Sequence, residues 1–581
     1  MGAWKRWRRA TPFGLVAVLL LAATRPLGAP LPDPTSPPSP SAVLGAPDRP
    51  AGPPTSSTAG PPAGGATGLA GTGSTSDDPA LAEVAREIER AIERRGWRGS
   101  RWGVLAISGV TGDTLVARDI DVPLAPASNV KILTSAASLF HLGPDFRFPT
   151  LVLSDAPVVD GTLQGDAVLY GTGDPALSDR FFESDDEPFR RLARELARQG
   201  IRRVAGDVLG DGTFFSGPVV PSTWENGHLT AAYGAPVAAL SANDNLVTLR
   251  IVPAAEPGDP PEIHTEPEGA KLHLEVDATT VARAPRPLAV ERPERHGPIV
   301  VRGEIHAQAR DQWRRLPVTD PPLFAASLFR RALEEEGIRV DGEVRTVGPA
   351  DGERVARGSV HAPAFGKTVG SRVLALHRSP PLEELLPIVN QRSNNFYAEL
   401  FLKSVGRMAR GEGSFEAGTA AVETYLEERA GIDGEHLRLA DGSGLSRDNR
   451  ATAAALLEVL QHVDRQPYAE AFWASMPIAG ESRHLRRMGR TSAAGNLQAK
   501  TGTIRNVSAL SGRVRTADGE PVYFSVVAND VPSSWAAKDV EDAIGGRLAG
   551  FRRQEGPVRT AGEVAEDVRV GAEGAEGTDR R

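Results

Sequence analysis

Cysteine is absent from this chain of 581 residues. Its absence excludes a thiol nucleophile, a disulfide framework, a Cys-ligated zinc site and a lipid anchor on cysteine. An excess of positive charge is lacking too, since the formal net charge is -8. No basic patch is interleaved with aromatic residues, so the sequence provides no support for nucleic-acid binding.

Lysine is scarce in a chain that is rich in arginine. Of 66 Lys and Arg residues only seven are Lys. Because a guanidinium stays protonated in proteins whereas an ammonium group can lose its proton, the few lysines are candidates for titratable chemistry. The G-x-S-x-G motif of Ser-His-Asp hydrolases and the H-E-x-x-H motif of zinc peptidases are also missing. No cofactor and no metal is implied.

The N-terminus lacks a long apolar run. Its apolar segment, 13–23, is short and follows a basic stretch at 5–9. This pattern predicts a signal peptide over 1–29 and export to the periplasm or the exterior of the cell envelope. An uncleaved N-terminal anchor, which would be the only membrane attachment, remains an alternative, although a membrane span needs about 20 apolar residues. The compositions of 30–78 (Pro, Gly and Ala) and 553–581 (Glu, Gly and Arg) predict a disordered linker and a disordered tail.

Hydrophobic periodicity predicts order from about residue 80. A strand pair is expected over Trp102–Ala117, a helix from Ser128 to Gly143, a hairpin with strands at Val507–Thr516 and Val522–Ala528, and a closing helix over Ala536–Phe551. Between these parts the chain shows short strands and Gly/Pro turns. Two segments in that middle region each run from an amphipathic helix through Gly-Ile-Arg into a short strand, namely Arg194–Val208 and Arg331–Val344.

The first candidate motif is Ser128-Asn129-Val130-Lys131, the only S-x-x-K in the chain. Residues three apart on a helix lie on one face, so the Lys131 amine can reach the Ser128 hydroxyl. A lysine whose pKa is lowered by burial can accept the serine proton and thereby activate the nucleophile. The alternative, an N-cap serine beside an unrelated lysine, is weakened by the scarcity of lysine and by two further motifs.

The second candidate motif is Ser393-Asn394-Asn395. The Ser393 hydroxyl can relay a proton to a leaving amine, and the Asn395 amide can orient Lys131 and hold a substrate carbonyl. Ser241-Ala242-Asn243 also fits S-x-N, but the first match lies in a helical stretch between the other two motifs. The alternative at 241 is therefore the weaker one.

The third candidate motif is Lys500-Thr501-Gly502-Thr503, the only K-T-G in the chain, at the opening of the predicted hairpin. On an edge strand beside a cleft, Lys500 would supply positive charge, Thr501 and Thr503 would bind a substrate carboxylate, and Gly502 would let the ligand approach the backbone. The amides of Ser128 and Thr503 are expected to form an oxyanion hole.

Together the three motifs resemble the signature of penicillin-binding proteins and β-lactamases. Further segments resemble the class C low-molecular-mass penicillin-binding proteins, the D-alanyl-D-alanine carboxypeptidase/endopeptidase family. They are Leu142–Phe148, Gly173–Pro175, Tyr233–Pro236, Asp441–Arg447 and Pro477–Gly480.

This resemblance implies an α/β (α+β) fold with a β-lactamase/transpeptidase-like serine domain, in which helices pack an antiparallel sheet. That penicillin-binding domain is expected to be split over 80–148 and 380–552, with 149–379 as a large β-rich inserted region of one or two domains. The implied activity is a penicillin-sensitive D-Ala-D-Ala carboxypeptidase or endopeptidase that acylates Ser128. Its implied partners are peptidoglycan stem peptides, with β-lactam antibiotics as covalent inhibitors.

Two departures from the family pattern stand out. Asn394 occupies a position where aspartate is usual. At Trp224–Leu229, Gly227 and His228 replace two acidic residues, one of which resembles a binder of the free amine on a diaminopimelate side chain. The preferred stem peptide is therefore open. A β-lactamase or esterase on the same scaffold, and a catalytically silent wall-binding scaffold, remain as alternatives.

Overall fold

The chain is described here as a computed structural model. The residues that it describes are 79–93, 97–283, 285–295, 297–347 and 372–553. The predicted signal peptide (1–29), the predicted linker (30–78) and the predicted tail beyond Arg553 lie outside these residues. Arg553 itself is held in place, since its guanidinium pairs with Asp113 at 2.7 Å and with Glu520 at 2.9 Å.

The helices and strands of the described residues alternate along the chain. The α-helices are α1 (Pro79–Glu93), α2 (Val130–Leu142), α3 (Glu187–Arg198), α4 (Pro321–Glu335), α5 (Leu382–Asn390), α6 (Asn395–Arg410), α7 (Phe415–Tyr425), α8 (Ala453–Asp464), α9 (Ala469–Ala474) and α10 (Ser534–Gly550). The strands are β1 (Arg101–Ser108), β2 (Thr114–Arg118), β3 (Pro149–Ser154), β4 (Val158–Val159), β5 (Thr162–Leu163), β6 (Ala167–Gly171), β7 (Arg203–Val204), β8 (Val208–Asp211), β9 (Leu246–Val252), β10 (Glu262–Glu266), β11 (Leu274–Val281), β12 (Ala289–Glu291), β13 (Ile299–His306), β14 (Gln312–Pro317), β15 (Arg339–Val340), β16 (Val344–Thr346), β17 (Arg372–Arg378), β18 (Leu437–Arg438), β19 (Arg450–Ala451), β20 (Gln498–Ile504), β21 (Val507–Arg515) and β22 (Pro521–Asn529). None of the helices in this part of the chain combines the length and apolar character that a membrane crossing requires.

One antiparallel sheet joins the first and the last strands of the described residues. Its strand order is β2-β1-β22-β21-β20, so the strand that carries the K-T-G motif, β20, lies at one edge. The predicted strand pair near the N-terminus and the predicted hairpin near the C-terminus are both confirmed, and they lie in this same sheet. The predicted mixed α/β fold with an antiparallel sheet is thereby confirmed.

Helix α2 runs through the interior and carries the first motif. Its residues from Val130 to Leu139 are all buried, which is typical of a helix covered on every side. The predicted stop is confirmed, because Gly143 ends the helix with a φ of 85° and donates its amide to Leu139 O. Helix α6, which follows the second motif, packs against α2. The two motifs are thus brought together by a buried helix pair.

The region between the first and second motifs is rich in β-strands. Strand β17 pairs with β3, so the two ends of this region lie side by side. The two recurring helix-to-strand segments also meet, because β15 pairs with β7 and β16 pairs with β8, both in parallel. Its largest sheet has the order β16-β8-β6-β3-β17.

Candidate active site

Ser128 lies in a tight turn that precedes α2. The turn Ala127–Asn129 is a single 3-10 turn, and Ala127 adopts a φ of 46°, which is unfavourable for a residue with a Cβ atom. Asn129 fixes the turn from inside the protein, since its side chain is buried and its Nδ2 donates to Ser511 Oγ at 2.8 Å. The hydroxyl of Ser128 lines a cavity at this point.

The Lys131 amine is fully buried beside that hydroxyl. Its Nζ lies 3.2 Å from Ser128 Oγ, 2.8 Å from Asn395 Oδ1 and 2.6 Å from the carbonyl oxygen of Ser443. Burial lowers the pKa of Lys131 to about 8, against the opposing effect of the Asp441 and Glu399 carboxylates. A substantial fraction of this amine is therefore neutral near pH 8 and able to accept a proton.

A loop at 441–449, buried over 441–444, supplies the backbone carbonyl that holds Lys131. The Asp441 carboxylate accepts amide hydrogen bonds from Gly444 at 2.7 Å and from Ser446 at 2.6 Å, which fold the loop back on itself. The Glu399 carboxylate, on α6, accepts the amides of Gly442 at 2.9 Å and Ser443 at 2.8 Å.

Burial raises the pKa of Glu399 to about 8, and the neighbouring Asp441 carboxylate acts in the same direction. Glu399 was not among the candidates from the sequence. The feature of the sequence that marks Glu399 is an acidic residue within the apolar helical stretch after the second motif, four residues after Asn395.

The second motif connects the two lysines of the site. Ser393 Oγ accepts a hydrogen bond from Lys500 Nζ at 2.9 Å, while Asn395 accepts one from Lys131. Asn395 also donates its Nδ2 to the carbonyl oxygen of Tyr233 at 3.0 Å. Ser393 adopts a φ of 54° in the left-handed region, a strained conformation of the kind that clusters at functional sites.

Lys500 is fully buried on the edge strand β20. Burial lowers its pKa well below the ordinary value, and the positive charge of Lys131 lowers it further. Thr503 lines the cavity, whereas the nearby Thr501 is buried and does not. Gly502 has a neighbour that the sequence did not predict: a Cβ atom there would lie 2.8 Å from Pro126 O and 3.1 Å from the Ser128 amide nitrogen. Glycine thus lets β20 pack against the turn that carries Ser128.

The site opens into a cavity of 730 Å³, a size typical of ligand pockets. Residues of both charge signs line it, namely the acidic Glu225 and the basic Arg447 and Arg505. The residues that line it are Ser128, Glu225, His228, Tyr233, Ser393, Asn395, Gly444, Leu445, Arg447, Thr503, Ile504, Arg505 and Asn506. Of the predicted site residues, this cavity therefore receives Ser128, Ser393, Asn395 and Thr503 directly, with the two lysines buried behind them.

The weaker S-x-N match lies elsewhere. Asn243 does not line the cavity, and its Nδ2 donates to Leu246 O at 3.0 Å within its own turn. Ser241 is likewise taken up by a local hydrogen bond to Ala238 O. In the segment Trp224–Leu229, which departs from the family pattern, Glu225 and His228 line the cavity and Gly227 does not.

A model of the D-Ala-D-Ala carboxypeptidase 3 (S13) family matches residues 84–550. This chain belongs to that family. The match spans most of the described chain, including all three motifs and the region between them. The resemblance drawn from the motifs is therefore confirmed.

Relatives within this family share much of their length with the chain. A D-alanyl-D-alanine carboxypeptidase of Actinomadura sp. (strain R39) is 35% identical over 508 residues, which are 83% of this chain and 89% of that protein. The D-alanyl-D-alanine carboxypeptidase DacB of Haemophilus influenzae is 27% identical over 68% of this chain and 79% of that protein. The crystal structure of penicillin-binding protein 4 (dacB) from Haemophilus influenzae has the same fold, with a TM-score of 0.64 at 24% identity, covering 81% of this chain and 98% of that one.

Proposed function

We propose that the chain is an exported, serine-type D-Ala-D-Ala carboxypeptidase or endopeptidase that cleaves peptidoglycan stem peptides through an acyl-enzyme on Ser128. The observation that carries the proposal is the contact of 3.2 Å between the buried Lys131 amine and Oγ of Ser128, a residue that lines the cavity. We assign the reaction to a penicillin-binding domain made of 80–148 and 380–552, with 149–379 as the inserted region.

In the acylation step, the neutral Lys131 amine accepts the proton of Ser128 Oγ as this oxygen attacks the carbonyl carbon of the penultimate D-Ala. The negative charge that develops on the carbonyl oxygen is stabilised by the amides of Ser128 and Thr503, the two donors of the proposed oxyanion hole. Asn395 holds the Lys131 amine toward Ser128, because its Oδ1 accepts from that amine at 2.8 Å. Orientation of this kind is the usual requirement for an activated serine.

Collapse of the tetrahedral intermediate breaks the peptide C–N bond. Through Ser393, the leaving amine takes the proton that Lys131 received from Ser128, and Ser393 is held in place by the hydrogen bond of 2.9 Å from Lys500. Thr503, which lines the cavity, binds the terminal carboxylate of the substrate, and the buried Lys500 and Thr501 lie behind it on the same strand. Water then attacks the ester carbon and gives a proton to the neutral Lys131 amine, which returns it to Ser128 Oγ as the ester bond breaks and the shortened peptide leaves.

The activity is tested with a synthetic pentapeptide that ends in D-Ala-D-Ala. The purified chain should release one D-Ala per peptide, and treatment with penicillin beforehand should stop the release. Rapid hydrolysis of penicillin without D-Ala release would instead establish the β-lactamase alternative and contradict the proposal.

The rate of acylation should depend on pH through Lys131. Below a pH of about 8, the neutral fraction of this amine rises about tenfold per pH unit. The second-order rate constant for acylation by penicillin should therefore rise from pH 6 to pH 8, as measured by stopped-flow or quenched-flow labelling. A rate that stays constant over this range would contradict the role given to Lys131.

A second buried lysine provides the control for this profile. Burial also lowers the pKa of Lys403 to about 8, but its amine donates to the carbonyl oxygens of Ser216 and Pro218 and does not line the cavity. Lys403→Met should therefore leave the position of the rise unchanged. If the pH at which the rate rises is shifted in Lys403→Met, the rise depends on Lys403 and its assignment to Lys131 is wrong.

Glu225 is proposed to recognise a cationic end of the stem-peptide side chain. Although Gly227 and His228 replace the acidic residues that are usual in the family, Glu225 is an acidic residue that lines the same cavity. Because this carboxylate is exposed, its contribution should be modest. Glu225→Gln should lower kcat/KM about three- to tenfold for a stem peptide with a free side-chain amine, and leave it unchanged for the N-acetylated peptide. An equal effect on both peptides would contradict this role.

A further inference from the structure

A strained turn of the region between the first two motifs contacts the second motif. Three consecutive residues of this turn, Asn243, Asp244 and Asn245, have φ values of 49°, 55° and 54°. Asparagine and aspartate enter this region more readily than other non-glycine residues, but three of them in succession persist only where the surroundings hold them. The enforcing contacts are visible, since Asn245 Nδ2 donates to the carbonyl oxygen of Pro236 and to Ser241 Oγ, both at 2.9 Å.

The turn projects the Asp244 carboxylate toward the start of helix α6. Asp244 is 5% exposed. Its Oδ2 accepts a hydrogen bond from Asn394 Nδ2 at 3.2 Å, and both of its oxygens are engaged by the Arg180 guanidinium, at 3.4 Å and 2.5 Å. A buried carboxylate with a bidentate arginine partner is held in one orientation. Asn394 therefore meets a fixed acceptor.

Asn394 in turn fixes the beginning of the helix that carries the site. Its Oδ1 accepts the amide of Tyr397 at 3.1 Å and caps α6. Since Asn394 uses its oxygen for the cap, its nitrogen must be the atom that faces Asp244. On either side of it, Ser393 contacts Lys500 and Asn395 contacts Lys131.

We propose that Asp244, held by Arg180, is a positioning residue for the reaction, and that it sets the geometry of Ser393 and Asn395 through its hydrogen bond to Asn394. The inference rests on the proposed function. It also provides a physical reason for asparagine at 394: an aspartate there could still accept the Tyr397 amide, but it could not donate to Asp244 and would place two carboxylates in contact.

The test exchanges donor and acceptor. We compare the wild-type protein with Asn394→Asp, Asp244→Asn and the double variant in the rate constant for acylation by penicillin at saturation, and in the concentration that gives half-saturation. Asn394→Asp should lower the rate constant at least about tenfold with little change in half-saturation, because two carboxylates then repel each other beside the helix start. The double variant should acylate at least about fivefold faster than Asn394→Asp. In it, the amide introduced at position 244 can donate to the carboxylate introduced at position 394 and still accept from Arg180.

Asp320→Asn is the matched control, because Asp320 lies in the same region of the chain and caps α4 by accepting the amide of Leu323 at 3.0 Å. Asparagine caps a helix as well as aspartate does, so this variant should acylate like the wild type. Adduct formation by the wild type tests the proposed function in the same experiment, so a failure there is distinct from a loss confined to Asn394→Asp.

The proposal is overturned if Asn394→Asp acylates at the wild-type rate, or if the double variant is no faster than Asn394→Asp. It is also overturned if the double variant regains the midpoint of thermal unfolding but not the acylation rate, because the contact would then stabilise the fold without positioning the site.

Discussion

Replacing Lys131 with methionine should lower the rate of acylation by penicillin about 10²- to 10⁴-fold. General-base catalysis typically contributes a factor of this size. Methionine fills a similar volume but cannot accept the Ser128 proton, and it leaves the Asn395 and Ser443 oxygens without their donor. The rate of adduct formation by Lys131→Met is measured by mass spectrometry against time, with circular dichroism to establish that the variant is folded.

Lys403→Met is the matched control for this loss. Both lysines are buried and both have a pKa lowered to about 8. The Lys403 amine, however, contacts the carbonyl oxygens of Ser216 and Pro218 instead of Ser128. A loss in Lys403→Met as large as that in Lys131→Met would show that burial of a cation, and not its contact with the nucleophile, accounts for the effect.

Gly444→Ala should disable the site by a different route. Gly444 has a φ of 80°, and a Cβ atom there would lie 1.8 Å from the carbonyl oxygen of Ala127 in the nucleophile turn. Backbone atoms cannot yield as a side chain would, so either the turn or the loop at 441–449 must move. We expect the free energy of unfolding to fall by about 1–3 kcal/mol for the clash and by about 1–2 kcal/mol more for the left-handed conformation, and the acylation rate to fall at least about tenfold. Thermal and denaturant unfolding, with the acylation assay, measure both.

Gly431→Ala is the control that separates the steric clash of an added Cβ atom from the cost of the left-handed backbone conformation. Gly431 has a similar φ of 75° and no atom within 4 Å of the position where a Cβ atom would lie. Only the cost of the left-handed conformation remains there, about 1–2 kcal/mol, and acylation should be unchanged. Equal losses in the two glycine variants would contradict the assigned packing of the loop against Ala127.

The parts of the fold that could be predicted from the sequence are those that local patterns determine. Alternation of apolar and polar residues predicted the hairpin of β21 and β22, and residues three apart on a helix predicted that Lys131 reaches Ser128. The edge position of β20 followed from K-T-G and the family resemblance. Helix α10 begins two residues earlier than expected, at Ser534, because the Ser533 side chain caps it by accepting the amide of Ala536.

The parts that could not be predicted depend on contacts between distant segments and on backbone atoms. The Ser443 carbonyl oxygen that holds Lys131 has no side-chain signature, and Asp441–Arg447 was identified by resemblance without a physical role. The hydrogen bond from Asn394 to Asp244 joins residues 150 positions apart. In the segment that departs from the family pattern, Glu225 was not singled out, although it is the acidic residue that lines the cavity.

The measurement that tests the central claim most directly is the location of the penicillin adduct. The purified chain is incubated with labelled penicillin, digested, and mapped by mass spectrometry beside Ser128→Ala. We expect one stable adduct per chain, on Ser128, and none in the variant. Absence of an adduct from the wild-type protein, or an adduct on any other residue, would contradict the assignment of Ser128 as the nucleophile.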